Sequence, residues 1–246
     1  MNVATVRFFS PALARHTTYS VILPIVGDGP FPVLMQLHGY SDDHAAWLHS
    51  SNLVHHAAPY PMIIVLPDGG TSGYLNLPVS VNPTSRMGNQ RYEDLMVDDL
   101  RAQVERTFRV RPGPWAIGGL SMGGFGAMRL GLKYPDRFAS IWAHSGAYRP
   151  REDLVELYPD PDEANVYAWA DLAAQTSHHP VISFDCGVDD DLLKYNRELH
   201  RHMESIGLPH TYEETGGKHD WDFWDRRVPL ALEQHARVLG IEAQAG

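Results

Sequence analysis

The segment Trp115-Ala-Ile-Gly-Gly-Leu-Ser-Met-Gly-Gly-Phe-Gly-Ala-Met128 constrains the fold more than any other part of the chain. It reads as a short apolar strand, a tight turn at Ser121 and a glycine-rich helix. Within it, Gly119-Leu-Ser-Met-Gly123 fits G-x-S-x-G. A serine that projects its hydroxyl above a sheet sits on a strained strand-to-helix turn. Residues two before and two after it approach neighbouring groups so closely that a Cβ would clash. The helix that follows points unpaired N–H groups and a partial positive charge at the serine, which suits an anion formed there. An inert glycine turn explains the five-residue pattern taken alone, but the strand before it and the helix after it favour a nucleophile elbow. A phosphate-binding loop fits poorly. No Gly-Lys-Ser/Thr follows, and Arg129 stands where a dinucleotide fingerprint starting at Gly124 needs its third glycine.

Around this segment the pattern alternates between strand and helix. Further strands are expected over residues 3–9, 18–23, 32–37, 62–66, 138–143, 181–185 and 210–213. A short helix carrying Trp47 follows Ser41-Asp-Asp-His44. Longer helices are expected over 91–108, 191–205 and 221–239, with Pro229 placed to kink the last. Tyr92, Met96, Leu100, Val104 and Phe108 form one apolar stripe. Residues 71–90 read as loop. Residues 147–179, rich in Tyr, Pro and acids, break the alternation with one helix around 164–174 and read as a cap-like insertion. No repeat or linker divides residues 1–246, so a single α/β domain is expected. Its central sheet should be mainly parallel, antiparallel at the start, with helices on both faces. Ligands in such sheets bind beyond the carboxyl ends of the strands. Ser121, Gly39, Asp190 and His219 all follow expected strand ends.

Composition narrows the function. A formal net charge of -10 with no local basic cluster argues against nucleic acid or an anionic membrane as partner. No apolar run approaches the ~20 residues of a spanning helix. Arg7, Pro11 and Arg15 interrupt the start before a signal-peptide core forms. Cys186 is the only cysteine, which excludes an intrachain disulfide and fits a cytoplasmic setting.

A serine hydroxyl needs a neighbouring base, and the base needs an orienting acid. On this kind of sheet they follow in the order Ser, acid, His. Of 14 histidines, His219 lies in a Gly-Gly loop between the last strand and the last helix, where it can aim back over the sheet edge. The acid comes from Asp189-Asp-Asp191 at a helix start, with Asp190 preferred and Asp189 the alternative. Capping explains one of these acids but does not require all three. Asp185, within its strand, reads as structural. Oxyanion donors are expected from the N–H of Met122 and of Tyr40, in His38-Gly39-Tyr40. His200 and His202 point to different faces of their helix and no H-E-x-x-H occurs, so no metal site is expected.

These pieces together resemble the putative-esterase family of α/β-hydrolases, which includes tributyrin esterases, feruloyl esterases, S-formylglutathione hydrolase (esterase D) and the mycolyltransferases. The matching pieces are Leu37-His-Gly-Tyr40 with Trp47, Pro67-Asp-Gly-Gly70, Gly119-Leu-Ser-Met-Gly-Gly124, Cys186-Gly-x-x-Asp190 and Gly217-Lys-His-Asp-Trp221 with Trp224. The resemblance implies an α/β-hydrolase fold. It also implies Ser121 as nucleophile, Asp190 as acid, His219 as base and the Tyr40 and Met122 amides as oxyanion donors. It implies a small ester substrate, needs no cofactor and allows a homo-oligomer. Trp47, Tyr148, Trp169 and Tyr158 are candidates to line the substrate pocket. The last three, taken singly, read more readily as core aromatics.

Overall fold

The computed structural model describes residues 1–77, 89–148 and 161–244. Tyr158, one of the candidate pocket residues, lies outside them. Eight strands form one sheet in the order β1-β2-β4-β3-β5-β6-β7-β8. They are β1 (Asn2–Ser10), β2 (Arg15–Leu23), β3 (Val33–Leu37), β4 (Ile63–Pro67), β5 (Trp115–Leu120), β6 (Phe138–His144), β7 (Val181–Gly187) and β8 (Thr211–Thr215). β1 pairs antiparallel with β2 and β2 with β4, and every later pairing is parallel. The central strands β3, β4 and β5 are buried at every position. That is why they read as unbroken apolar runs rather than alternating ones.

Helices cover both faces. On one side lie α3, α4 (Met122–Lys133), α5 (Val166–Ala174) and α6 (Leu193–Ser205). α3 runs through three consecutive pieces, Tyr92–Asp94, the π-helical Leu95–Leu100 and Arg101–Thr107. Its stripe residues Met96, Leu100 and Val104 join the larger core. On the other side lie α1 (Ala46–Ser50), α2 (Leu53–Ala57) and α7 (Trp221–Val238), packed over Leu34, Ile64, Ala116 and Leu120. α2 was not expected, because five residues are too few to show a helical period. α7 continues as one helix through Pro229. Among the described residues, no helix is long and apolar enough to cross a membrane.

Two polar features hold these layers in register. Arg129 of α4, buried, meets Glu93 of α3 at 2.6 Å and Glu163 at 2.8 Å, and Lys133 meets Glu93 at 2.8 Å. The residue that spoils a dinucleotide fingerprint is thus the centre of an ion-pair network. Under α7, Ser183 donates to Gln234 at 2.5 Å, Gln234 donates to Ser140 at 3.1 Å, and Ser140 bonds His235 Nδ1 at 2.8 Å.

His235 is fully buried. Burial, with a smaller contribution from nearby His144, pushes its pKa down to about 3. Its folded-state pKa is therefore depressed. The stability tied to its neutral form is complete above the unfolded value of ~6.5 and is lost as pH falls toward the folded value. Each pH unit in that window should cost about 1.4 kcal/mol. Melting temperature should therefore fall more steeply with acid in the wild type than in His235→Asn, which keeps an acceptor for Ser140. Equal slopes in the two proteins would refute this.

Candidate active site

The elbow is built by steric necessity. β5 ends at Leu120, α4 starts at Met122, and Ser121 between them has φ 53° and ψ -115°. A Cβ at Gly119 would lie 2.5 Å from the Gly123 carbonyl oxygen, and one at Gly123 would lie 2.5 Å from that of His38. Both contacts are impossible for any residue with a side chain. The turn's backbone is satisfied: Ser121 N–H donates to the His144 carbonyl at 2.9 Å, and the Ser121 carbonyl accepts from Phe125 and Ala147.

His219 reaches Ser121 from the loop that follows the edge strand β8. It immediately precedes Asp220, whose carboxylate caps α7 by accepting from the Phe223 N–H at 3.0 Å. This cap sets where the imidazole leaves the helix. His219 Nε2 lies 2.9 Å from Ser121 Oγ, and its Nδ1 lies 2.9 Å and 3.1 Å from the two oxygens of Asp190. An ionised carboxylate only accepts, so Nδ1 carries the proton and Nε2 is free to accept from the hydroxyl. The imidazole is one-third exposed, whereas the Asp190 side chain is completely buried. The Trp224 ring stands edge-on to His219 at 5.0 Å.

Two loops must touch for the acid to face the base. A Cβ at Gly187 would meet the Gly217 carbonyl oxygen at 2.4 Å, and the Asp189 N–H donates to that same oxygen at 3.0 Å. Asp189 thus contributes backbone to the join and its side chain is exposed, so Asp190 is the acid that meets His219. Burial is the largest influence on the Asp190 carboxyl and raises its pKa. Hydrogen bonds from His219, the Leu192 N–H and Ser145 outweigh that and hold it below the usual carboxylate range. The Leu192 bond, 2.7 Å long, is a turn contact just ahead of α6, whose N-cap is Leu192 and has no side-chain cap.

Ser145 escaped the sequence reading. It is fully buried, has φ 49°, and accepts from Trp224 Nε1 at 3.1 Å while bonding Asp190. The signal for it was its place, just past the end of β6 and beside the elbow. Asp185 is structural, as read: buried, it takes hydrogen bonds from His144 Nδ1 and Trp142 Nε1, each at 2.9 Å, and from Arg227.

The expected oxyanion loop lies against the elbow. A Cβ at Gly39 would come 3.8 Å from the Cβ of Ser121. Met122 is the first residue of α4, so its N–H has no intrahelical partner. The aromatic pocket candidates fare differently. Trp47 is buried, donates to the Leu37 carbonyl at 3.0 Å and packs edge-on against Trp221. Tyr148 is buried against Phe184. Both belong to the core, where a large ring gains more from full burial than from a wet cleft. Trp169 is half-buried, with Lys133 Nζ 5.0 Å over its ring. Among the described residues, no cluster of His, Cys, Asp and Glu could hold a metal ion.

Known proteins resemble this chain along nearly its whole length. The model of the family described as "Putative esterase" matches residues 10–235. An acetyl esterase of Caldicellulosiruptor saccharolyticus is 30% identical over 273 residues, covering 97% of this chain and 99% of that protein. A ferulic acid esterase structure superposes with a TM-score of 0.81 at 25% identity, covering 96% of this chain and 98% of that one. FphF, a fluorophosphonate-binding serine hydrolase of Staphylococcus aureus, shares the fold with a TM-score of 0.82 at 22% identity, covering 95% of this chain and 98% of that one. With this coverage added to the hydroxyl, imidazole and carboxylate aligned at the sheet's rim, the chain belongs to the putative esterase family of α/β-hydrolases and is a carboxylic ester hydrolase.

Proposed function

We propose that the protein is a serine esterase of short acyl esters in which Ser121, His219 and Asp190 work as one proton relay. The reading is carried by the unbroken line from Ser121 Oγ to His219 Nε2 and from His219 Nδ1 to a buried carboxylate, both steps 2.9 Å. Ser121 Oγ attacks the ester carbonyl carbon while its proton passes to Nε2. The carbonyl oxygen becomes an oxyanion and takes hydrogen bonds from the N–H groups of Tyr40 and Met122. The intermediate collapses, the C–O bond to the alcohol breaks, and Nε2 returns the proton to the departing oxygen. Water then attacks the acyl-enzyme by the same route and releases the acid. Asp190 keeps the proton on Nδ1 throughout.

The acetyl esterase relative, alike over both whole lengths, supports a short acyl group. A cytoplasmic location for one domain spanning 1–246 accompanies this reading, supported by a single, buried cysteine. The test is covalent. A fluorophosphonate probe should add one equivalent to folded protein, on the peptide containing Ser121. Among p-nitrophenyl acetate, butyrate and octanoate, kcat/KM should fall with chain length. An S-acyl thioester in the same panel decides between oxygen and sulfur esters, since one relay serves both. Folded protein that takes no label overturns the proposal.

A further inference from the structure

Leu37-His-Gly-Tyr40 and Pro67-Asp-Gly-Gly70 lie at the ends of adjacent strands, yet the relay uses only one N–H from the first and nothing from the second. A single buried ring joins them. His38 is 1% exposed. Its Nδ1 lies 2.7 Å from the Gly39 carbonyl oxygen, and its Nε2 lies 2.9 Å from the Gly69 N–H. A carbonyl can only accept and an amide N–H can only donate, so both ring roles are determined. Nδ1 bears the proton and Nε2 bears a lone pair. Burial lowers the ring's pKa, with the Gly39 carbonyl and the carboxylates of Asp68, Asp42 and Asp43 opposing without prevailing. A second proton could go only on Nε2, facing the Gly69 N–H.

The Gly39 carbonyl and the Tyr40 N–H belong to one peptide plane and, in a trans peptide, point in opposite directions. Whatever grips the carbonyl also aims the N–H. The Gly39 carbonyl also accepts from the Asp42 N–H at a longer 3.4 Å. The peptide before it is pinned at both ends, because Gly39 N–H donates to Asp42 at 3.3 Å and the His38 carbonyl accepts from Tyr74 Oη at 2.9 Å. The Tyr74 ring is itself enclosed, because a Cβ at Gly69 or Gly126 would overlap it at 2.3 Å and 2.5 Å. Gly69 of the Pro67–Gly70 motif is therefore part of the housing of this clamp.

We infer that His38 is a positioning residue: through its Nδ1–H it locks the Gly39–Tyr40 peptide so that the Tyr40 N–H is preset for the oxyanion, with the Gly69 N–H holding the ring. This rests on the proposed role of the Tyr40 N–H and says nothing about contact between His38 and substrate.

The test separates donation from packing. In His38→Asn the amide nitrogen can take the Nδ1 position and donate to Gly39. In His38→Gln the amide reaches the Nε2 position and cannot. For p-nitrophenyl acetate, H38Q should lose kcat by about 10²–10³-fold with little change in KM, the usual effect of losing one oxyanion donor. H38N should recover most of that loss. Affinity for a trifluoromethyl ketone, whose serine adduct carries an oxyanion, should fall in parallel with kcat/KM in H38Q. Two results overturn the inference: H38Q keeping kcat within threefold, or H38N and H38Q falling equally at matched melting temperature. If H38Q does not fold, ¹⁵N–¹H correlation spectra of the wild-type ring decide instead. They should show Nδ1 protonated and Nε2 bare at pH 8, and the opposite tautomer overturns it. Fluorophosphonate labelling of the wild type keeps the two ideas apart. An unlabelled wild type sinks the esterase mechanism, whereas a labelled wild type with an unimpaired H38Q sinks only the role of His38.

Discussion

Replacing Ser121 with alanine is expected to lower kcat for p-nitrophenyl acetate by about 10⁶-fold, the loss seen when a nucleophile is removed from a relay that acts as a unit. The substitution deletes only the oxygen that lies 2.9 Å from His219 Nε2. Alanine keeps a Cβ at the same positive φ, so the strain at the elbow and the packing of Gly119 against Gly123 are unchanged. Stability should therefore match the wild type within experimental error, and fluorophosphonate labelling should vanish. What remains should come from the two oxyanion N–H groups and from binding. A folded S121A protein that keeps more than about a thousandth of wild-type turnover would mean that another group carries the chemistry.

Asp190→Asn should cost about 10⁴-fold in kcat while preserving the fold. An asparagine can accept one hydrogen bond but also presents an NH₂ group to the ring. It lets His219 carry its proton on Nε2, where the imidazole no longer accepts from Ser121. The carboxylate it replaces is wholly buried and is held ionised by His219, Leu192 and Ser145. Because the folded pKa is lowered, this carboxylate's contribution persists down through the usual carboxylate range and is lost only in stronger acid. Asp189→Asn is the matched control. Its side chain is exposed and its N–H, not its carboxylate, makes the contact to Gly217, so kcat should change by less than twofold. Equal losses in the two variants would mean the acid is misassigned.

The parts of the site legible in the sequence are those enforced by local sterics. The elbow is one, because each glycine at 119 and 123 answers a contact within a few residues or with the adjacent strand. The order Ser, acid, His is another, because in this fold the three follow successive strand ends, those of β5, β7 and β8. Choosing among Asp189, Asp190 and Asp191 was harder. All three suit a helix start, and only the Gly187–Gly217 contact between distant loops buries the middle one. Ser145 and His38 show the same limit: each is hydrogen-bonded to a partner dozens of residues away. Trp47 and Tyr148, both candidates for the pocket, lie in the core, the place that Tyr148 taken singly already suggests. An aromatic near a motif looks the same in sequence whether it faces the substrate or the sheet.

The hydrogen-bonded seam beneath α7 has a consequence for the relay at the other end of that helix. Gln234 and His235 are pinned to Ser183 and Ser140 on neighbouring strands, about 20 Å along the helix from its first residue, Trp221, at 1.5 Å per residue. A helix held only by oily contacts could slide or twist over the sheet with little resistance. Here any axial slip breaks directional bonds in a dry interior, so the imbalance is felt at once. The imidazole at 219, just ahead of this helix, thus sits at one end of a lever whose pivot is the bonded seam near the other end.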